Sequence, residues 1–244
     1  MLTCNILNDT RTVLLDPRTP DVGGSFWYSS GVLQPYSPLP LRWVFDQLIR
    51  YPHAVMLDVG ASTGSFSLLS AHHPDLEVWA FEPVPLTNRI LTENIYLNNL
   101  TDKVHISPCG VSFYNGTGVM NVIRDIGGLG VSILDGTPRA DKVCDPVMID
   151  VVTLDTFCAL RDIHPTLLKI DTEGAEKLVL KGASETIERY KPFMLIEYSQ
   201  ENANQYGYAV NELVQMVEAW GYTWVCPEGL HLWCVPAGWE ELHH

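Results

Sequence analysis

The sequence predicts an α/β fold: a mostly parallel β-sheet with helices on both faces. Two observations carry this. Short apolar runs of strand length recur along the chain, and longer stretches with helical periodicity separate them. Strands buried on both faces read as nearly unbroken Val, Ile and Leu runs. Their alternation with helices implies parallel neighbours joined by right-handed crossovers.

The strand-like runs are Val55 to Val59, Val78 to Phe81, Val104 to Ser107, Leu167 to Ile170 and Phe193 to Glu197. Leu86, Ile90 and Ile95 mark one apolar helix face between them. Leu178, Val179, Ala183 and Ile187 mark a second, and Val210, Leu213, Val214 and Val217 a third, which Gly221 ends. The tail reads as two strands joined by a tight turn at Pro227–Gly229. Two regions interrupt the alternation. Residues 1–40 are rich in Pro, Gly and Ser, with Phe26, Trp27, Tyr28 and Tyr36 interleaved, and read as an N-terminal extension and candidate lid. Residues 41–244 form the main domain. Within it, residues 113–150 carry six glycines and read as an irregular substrate-side insertion, with short strands at Val119–Ile123 and Val131–Leu134.

At 244 residues the chain is sized for one large domain. A hydrophobic fraction of 46% against 18% charged residues provides for a sizeable core. A net charge of -14 argues against nucleic acid as partner, since phosphate-tracking proteins carry a basic face. It favours a neutral or cationic small molecule. No apolar stretch is long enough for a membrane span, and no basic start precedes an apolar run as in a secretory signal. Cys4, Cys109, Cys144, Cys158, Cys226 and Cys234 are scattered without zinc spacing, as free thiols in a reducing cytoplasm would be. The expected location is therefore cytoplasmic. The terminal His243 and His244 have the look of a purification-tag remnant and carry no functional weight.

Three motifs carry chemistry. Asp58-Val-Gly60-Ala61-Ser62-Thr-Gly64-Ser65 directly follows the first core strand and opens a helix. Its spacing is D-x-G-x-x-x-G, whereas a dinucleotide pyrophosphate needs G-x-G-x-x-G. It suits a ligand without phosphate that needs backbone amides and an acidic neighbour; a plain tight strand–helix turn gives the same pattern. Phe81-Glu82-Pro83 ends the second strand, where a carboxylate can accept both hydroxyls of a ribose. Lys169-Ile-Asp171-Thr-Glu173-Gly174-Ala-Glu176 follows a buried strand and leads into a helix, at the sheet edge where open α/β sheets bind ligands. Glu173 and Glu176 also suit the first turn of a helix, where carboxylates cap free amides. Glu197 ends the next strand and would be the neighbour of Asp171.

The segments DVGASTGSFS, FEPVPLTNRILTENIYLNN, VVTLDTF, LLKIDTEGAEKLVLKGA and PFMLIEYS, in this order, resemble the FkbM family of methyltransferases. The resemblance covers about four-fifths of the chain, and the KID-x-EGAE-x-x-VLKGA block is its most specific part. It implies a Rossmann-like class I methyltransferase fold, a seven-stranded sheet with its last strand antiparallel, and S-adenosyl-L-methionine as donor. Hydroxyls of sugars or natural products would be the acceptors. By motif position Asp58, Gly60, Ala61, Ser62, Gly64 and Ser65 would hold the methionine part, and Glu82 with Pro83 the ribose. Gly110 lies where adenine should pass. Asn94 and Asn98 also match, though helix packing and capping explain them equally well. The family loop usually reads DVGANIG; Ser62 and Thr63 stand here in place of the Asn-Ile pair.

Asp171 is the expected base or orienter, with Glu173 and Glu197 behind it. A divalent metal is not favoured, because no Asp-Asn pair follows Glu197. His105, His164 and His231 are candidate bases, each isolated in sequence. Two rival readings remain: a methyltransferase of a peptide or protein carboxylate, anchored by Lys169 or Arg124, and an inactive cofactor-binding scaffold. The expected partner is a small-molecule acceptor, with or without sugar. The oligomeric state is not written in the sequence. The two interrupting regions, residues 21–40 and 113–150, are expected to form the acceptor pocket.

Overall fold

A computed structural model describes residues 1–7, 11–19, 26–29, 32–35, 38–123, 132–134 and 144–239, with the backbone alone for 26–29, 32–35, 123 and 132–134. In chain order the first elements are strands β1 (Leu2–Asn5), β2 (Thr12–Leu15), β3 (Phe26–Ser29) and β4 (Val32–Pro35), then helix α1 (Pro38–Leu48). Next come β5 (Val55–Val59), a 3-10 turn (Ser67–Ala71), β6 (Glu77–Phe81), α2 (Pro85–Leu97), β7 (Val104–Ser107) and β8 (Gly110–Val111). Then follow β9 (Gly116–Ile123), β10 (Ser132–Leu134), β11 (Cys144–Val152), α3 (Leu154–Arg161) and β12 (Leu167–Ile170). The chain continues through α4 (Glu176–Lys181), α5 (Ser184–Tyr190), β13 (Phe193–Glu197), α6 (Gln200–Asn204), α7 (Asn211–Ala219), β14 (Tyr222–Val225) and β15 (His231–Pro236).

The main sheet has seven strands in the order β14-β15-β13-β12-β5-β6-β7. The pairs from β13 to β7 are all parallel, and β15, the last strand, runs antiparallel to both its neighbours. This is the expected Rossmann-like sheet. Side-chain alternation divides the core in two. Met56, Leu167, Phe193 and Leu195 face one layer with α1; there Trp43 stacks on Trp233 at 5.3 Å. Leu57, Val59, Leu168, Ile170, Met194 and Ile196 face the other, with α3, α4, α5 and α7.

Four features depart from expectation. Leu86 is 42% exposed, so the buried face of α2 is built from Ile90, Leu91, Asn94 and Ile95 instead. The apolar series from Leu178 to Ile187 spans two helices, not one. The break falls at Gly182, where a Cβ would overlap the Ser112 carbonyl oxygen, so the close approach of that loop requires glycine. Within residues 113–150 the two expected short strands are present as β9 and β10, but a third strand, β11, was not expected. Strand β9 pairs antiparallel with β11 from Gly116↔Val151 to Ile123↔Cys144. Met120, Ile149 and Val151 form a small core there with Val84. Alternation in β11 is masked in the sequence by Asp145, Pro146 and Asp150, which lie on an exposed ribbon.

The start of the chain is also structured. Strands β1 and β2 form a hairpin, and β1 runs parallel to β4. Cys4, Ile6, Leu7, Val13 and Leu15 belong to the main core. Asn98 brackets Leu14, accepting from its amide at 2.9 Å and donating to its carbonyl at 2.7 Å. Asn94, fully buried, accepts from the Asp16 amide at 2.7 Å and donates to the Thr63 carbonyl at 2.8 Å. One side chain thus ties the N-terminal strands to the glycine-rich loop. Asn94→Ala leaves that amide and carbonyl without partners, and should cost about 2–3 kcal/mol in urea unfolding. Tyr36, Arg124, His243 and His244 lie outside the described residues, as do the side chains of Phe26, Trp27 and Tyr28.

Candidate functional site

The glycine-rich loop leaves β5 at the centre of the sheet, where strand order reverses. Gly60 has φ +74°, Ser62 +51° and Gly64 +99°, so the chain turns through left-handed conformations that strands and helices do not use. The amides of Gly60 and Ala61 both donate to the Phe81 carbonyl, at 3.1 and 3.0 Å, which locks the loop to the end of β6. A side chain at Gly64 would meet Leu91 Cδ1 at 2.6 Å, toward α2 rather than toward ligand space.

Glu82 sits at the end of β6 and is 6% exposed. Its carboxylate accepts from the Ser62 amide at 2.9 Å and the Val84 amide at 2.8 Å. Pro83 lies between these contacts, and Pro85 opens α2 in the position where a missing amide costs nothing. Burial pushes the Glu82 carboxyl up to about 7, against the pull of the Val84 and Ser62 amides and of Lys169. The fold therefore favours the protonated carboxyl. Its contribution to stability is fully present below about pH 4.5 and lost as pH rises through about 7, roughly 3 kcal/mol in all. Urea unfolding at pH 5 and pH 8 should show this loss in the parent and not in Glu82→Gln.

Lys169 is the centre of the site's charge. It is 3% exposed, on β12, and in register with Asp58 on β5. Its ammonium stands 3.3 Å from Asp58 Oδ1 and 3.8 Å from Asp171 Oδ2, and donates to the Gly60 carbonyl at 2.6 Å. Burial opposes its charge, but Asp58 and Asp171 outweigh burial and hold its pKa above the usual lysine value. Ser67 donates to the other Asp58 oxygen at 2.6 Å. The fully buried Asp58 is thus bound on both sides by its own chain.

Strand parity then gathers the acids. Residues two apart on a strand share a face. Asp171 follows Lys169, Glu197 follows Leu195, and His231 lies two before Trp233, so Asp171, Glu197 and His231 project on one face at the carboxyl edge. Asn202 joins two of the predicted carboxylates: its Nδ2 donates to Glu173 Oε2 at 2.9 Å and to Glu197 Oε1 at 2.8 Å. Glu173 has φ +57°, and a Cβ on the following Gly174 would overlap the Asn202 carbonyl. This tight turn brings the Glu173 carboxylate back toward β13. Burial pushes Glu197 up to about 11, and the charges of Asp171, Glu176 and Glu173 add to it. Glu176 is a loop clamp. Its Oε1 accepts from the Thr172 amide at 2.7 Å, the Thr172 hydroxyl at 2.8 Å and the Gly174 amide at 3.2 Å.

Gly110 is buried and opens β8, which pairs in parallel with the end of β11 at Val151. His105 stacks on Trp79 at 4.4 Å near Glu77, and His164 stacks on Tyr190 at 4.7 Å ahead of β12. Their acidic partners are Glu77 and Asp162, at 3.3 and 3.1 Å, and not the acids of the carboxyl edge. His231 does stand at that edge, because the antiparallel return of β15 places the start of that strand beside the end of β13. Sequence separation hid it; only the antiparallel register reveals it. Among the described residues, no group of three or more His, Cys, Asp or Glu side chains is arranged to hold a metal ion.

The family model of the methyltransferase FkbM domain matches residues 58–223, from the first acid of the loop to the start of β14. The chain belongs to the FkbM methyltransferase family. A methyltransferase of Sordaria araneosa, sdnD, is 30% identical over 156 residues, covering 53% of this chain and 60% of that protein. The crystal structure of a methyltransferase FkbM from Methylobacillus flagellatus superposes over 82% of this chain and 48% of that one, with a TM-score of 0.54 at 22% identity. The chain thus spans about three-fifths of the curated relative's length and about half of that crystal structure's. The matched FkbM region takes in the glycine-rich loop, Glu82 and the whole carboxylate edge, and stops short of His231.

Proposed function

We propose that the chain is an S-adenosyl-L-methionine-dependent O-methyltransferase acting on a hydroxyl of a sugar or other natural-product small molecule. The observation that carries this is the Glu82 carboxylate, buried at the end of β6 and bonded to the Ser62 amide of the glycine-rich loop. Each of its oxygens accepts one amide and keeps a lone pair free, which suits two ribose hydroxyls. The left-handed turns at Gly60, Ser62 and Gly64 suit the amino-acid end of the donor, held by Gly60, Ala61, Ser62, Gly64 and Ser65, with the buried Asp58 fixing the loop through Lys169 and Ser67. Pro83 borders the ribose, and Gly110 the adenine. The residues fit the donor in chemistry and order.

When bound, the donor supplies an activated methyl group. The protein's part is to align the acceptor and remove its proton. Alignment contributes up to roughly 7–11 kcal/mol in well-oriented cases, and proton removal about 10²–10⁴ in rate. Asp171, partly exposed and next to Lys169, is the proposed base, with Glu173 and Glu197 behind it. Lys169 is committed to Asp58 and the Gly60 carbonyl, which disfavours it as an anchor for a peptide carboxylate. The unpaired cysteines support a reducing, cytoplasmic setting. No helix among the described residues is long and apolar enough to cross a membrane.

Incubation with labelled donor and a panel of glycosides, read by mass spectrometry, tests the reading. Transfer to a hydroxyl supports it; transfer to peptide carboxylates alone overturns it. Glu82→Ala should weaken S-adenosylhomocysteine binding by roughly 1.5–3 kcal/mol in calorimetry, with turnover at saturating donor little changed. Residues 21–40 and 113–150 remain the proposed acceptor side. Deleting residues 1–30 would strip Cys4, Ile6, Leu7, Val13 and Leu15 from the core, so point substitutions of Trp27 and Tyr28 are the suitable test.

A further inference from the structure

Four acids crowd the carboxyl edge: Asp171, Glu173, Glu176 and Glu197. Asp171 and Glu197 are direct neighbours. The β12–β13 ladder runs in register to Ile170↔Ile196, so the next residue on each strand stands side by side, about 4.7–4.9 Å apart at the backbone. Glu173 returns toward the same place through its left-handed turn. Carboxylates this close repel, and the ordinary relief is a proton shared between two of them. A base that shares a proton with its neighbour is lost as a base. Each acid here finds another relief. Asp171 has the Lys169 ammonium at 3.8 Å. Glu176 accepts from the Thr172 amide and hydroxyl, the Gly174 amide and the Tyr208 hydroxyl. Glu173 and Glu197 have Asn202 between them.

We propose that Asn202 is a positioning residue: its side-chain amide ties down Glu173 and Glu197 and so leaves Asp171 as the acid that meets the acceptor. Both hydrogens of Nδ2 are spent, one on Glu173 Oε2 at 2.9 Å and one on Glu197 Oε1 at 2.8 Å. Two acceptors on one NH2 group stand about 5 Å apart. A shared proton needs roughly 2.5–2.7 Å between oxygens. The amide is itself held. Asn202 is 8% exposed; Ser199 Oγ accepts from its backbone N–H at 3.3 Å, and Gln205 Nε2 donates to its Oδ1 at 3.4 Å. That contact turns the amide oxygen away from the acids and its nitrogen toward them. Glu197 Oε2 is sealed without a partner, so neither oxygen of that acid is open to a ligand. His231, opposite Glu197 on β15, is kept uncharged by burial and supplies no countercharge. The Asp171 side chain, by contrast, is 31% exposed. The acceptor hydroxyl gives its proton to Asp171 as its electron pair forms the bond to the methyl carbon, and the carbon–sulfur pair returns to sulfur. Asn202 touches none of the reacting atoms.

The selection of Asp171 rests on the methyltransferase reading; the clamp does not. Side-chain amide spectra of the ¹⁵N-labelled full chain decide the clamp. Both Nδ2 protons of Asn202 should lie downfield and exchange with water at least about tenfold more slowly than those of an exposed asparagine. One upfield, freely exchanging proton overturns it. Asn202→Asp keeps the shape and the Gln205 contact but turns two donors into a fifth acid. Added negative charge raises the pH at which Asp171 ionises. With the glycoside acceptor found above, the acidic limb of kcat/KM should therefore move up by about one pH unit, while S-adenosylhomocysteine binds as in the parent. Adding Glu197→Gln exchanges amide and carboxylate across the same contact and should return the limb most of the way. Asn202→Ala adds no charge, should move the limb in the same direction, and serves if the aspartate variant does not fold. A limb unmoved in the single variants, or a double variant that recovers nothing, overturns the positioning role. Failure of S-adenosylhomocysteine to bind the parent would sink the methyltransferase reading and leave the clamp result standing.

Discussion

Gly60→Ala is expected to abolish S-adenosylhomocysteine binding and to destabilise the fold by about 4 kcal/mol or more. A Cβ at this position would overlap the backbone carbonyl oxygen of Asp171, and Thr172 Cγ2 lies only 3.4 Å from it. Neither β5 nor β12 can retreat. Their ladder is fixed by the register from Met56↔Leu167 to Val59↔Ile170, and the Asp171 amide donates to the Val59 carbonyl at 3.1 Å. The left-handed φ of +74° adds backbone strain of about 1–2 kcal/mol for any residue with a Cβ. Urea unfolding and calorimetry measure the two losses. Gly207→Ala is the control: it shares a left-handed φ of +70°, but a Cβ there would meet nothing within 4 Å. It should show the strain alone and bind normally. Equal losses in the two variants would mean that crowding against Asp171 is unimportant.

Lys169→Met should cost about 3–5 kcal/mol, the usual penalty for removing one partner of a buried ion pair. The methionine fills similar space, so the loss is electrostatic. Asp58 would keep only the Ser67 hydroxyl, and the Gly60 carbonyl would lose its donor. The loop that Lys169 holds is the one proposed to bind the donor, so affinity for S-adenosylhomocysteine should fall with stability. The double variant Asp58→Asn with Lys169→Met removes both charges and should recover a good part of the stability, because the cost lies in the unpaired charge. A double variant no more stable than Lys169→Met would show that the cost lies in packing of the lysine stem or in its ammonium's 5.3 Å cation–π contact with the Phe66 ring, not in the unpaired Asp58 charge.

The central strands were legible because burial on both faces leaves an unbroken apolar signature. Four of the five predicted core strands have the predicted limits, and the fifth starts one residue earlier, at Glu77. Strand β11 was not legible. Its pairing with β9 is non-local, and its exposed face carries polar residues and a proline that read as loop. The N-terminal strands were hidden for a similar reason. Their burial depends on Asn94 and Asn98 of α2, about eighty residues away, whose amides look like ordinary helix polar groups until Leu14 and Asp16 are placed against them.

Within the candidate site, the sequence by itself determined which residues stand at strand ends: Asp58 with its glycines, Glu82, Asp171 and Glu197. A strand's end and its two-residue period are local properties, set by the chain's own pattern. Only the tertiary structure decided what each group is committed to. Register across β5 and β12 turned Lys169 from a candidate anchor into the buried partner of Asp58. The turn at Glu173 and Gly174 made Asn202 the bridge between two acids. The antiparallel return of β15 set His231 beside Glu197. Each of these depends on which strands become neighbours and in which direction they run. That choice is fixed by burying both faces of the whole sheet at once, and no local stretch of sequence contains it.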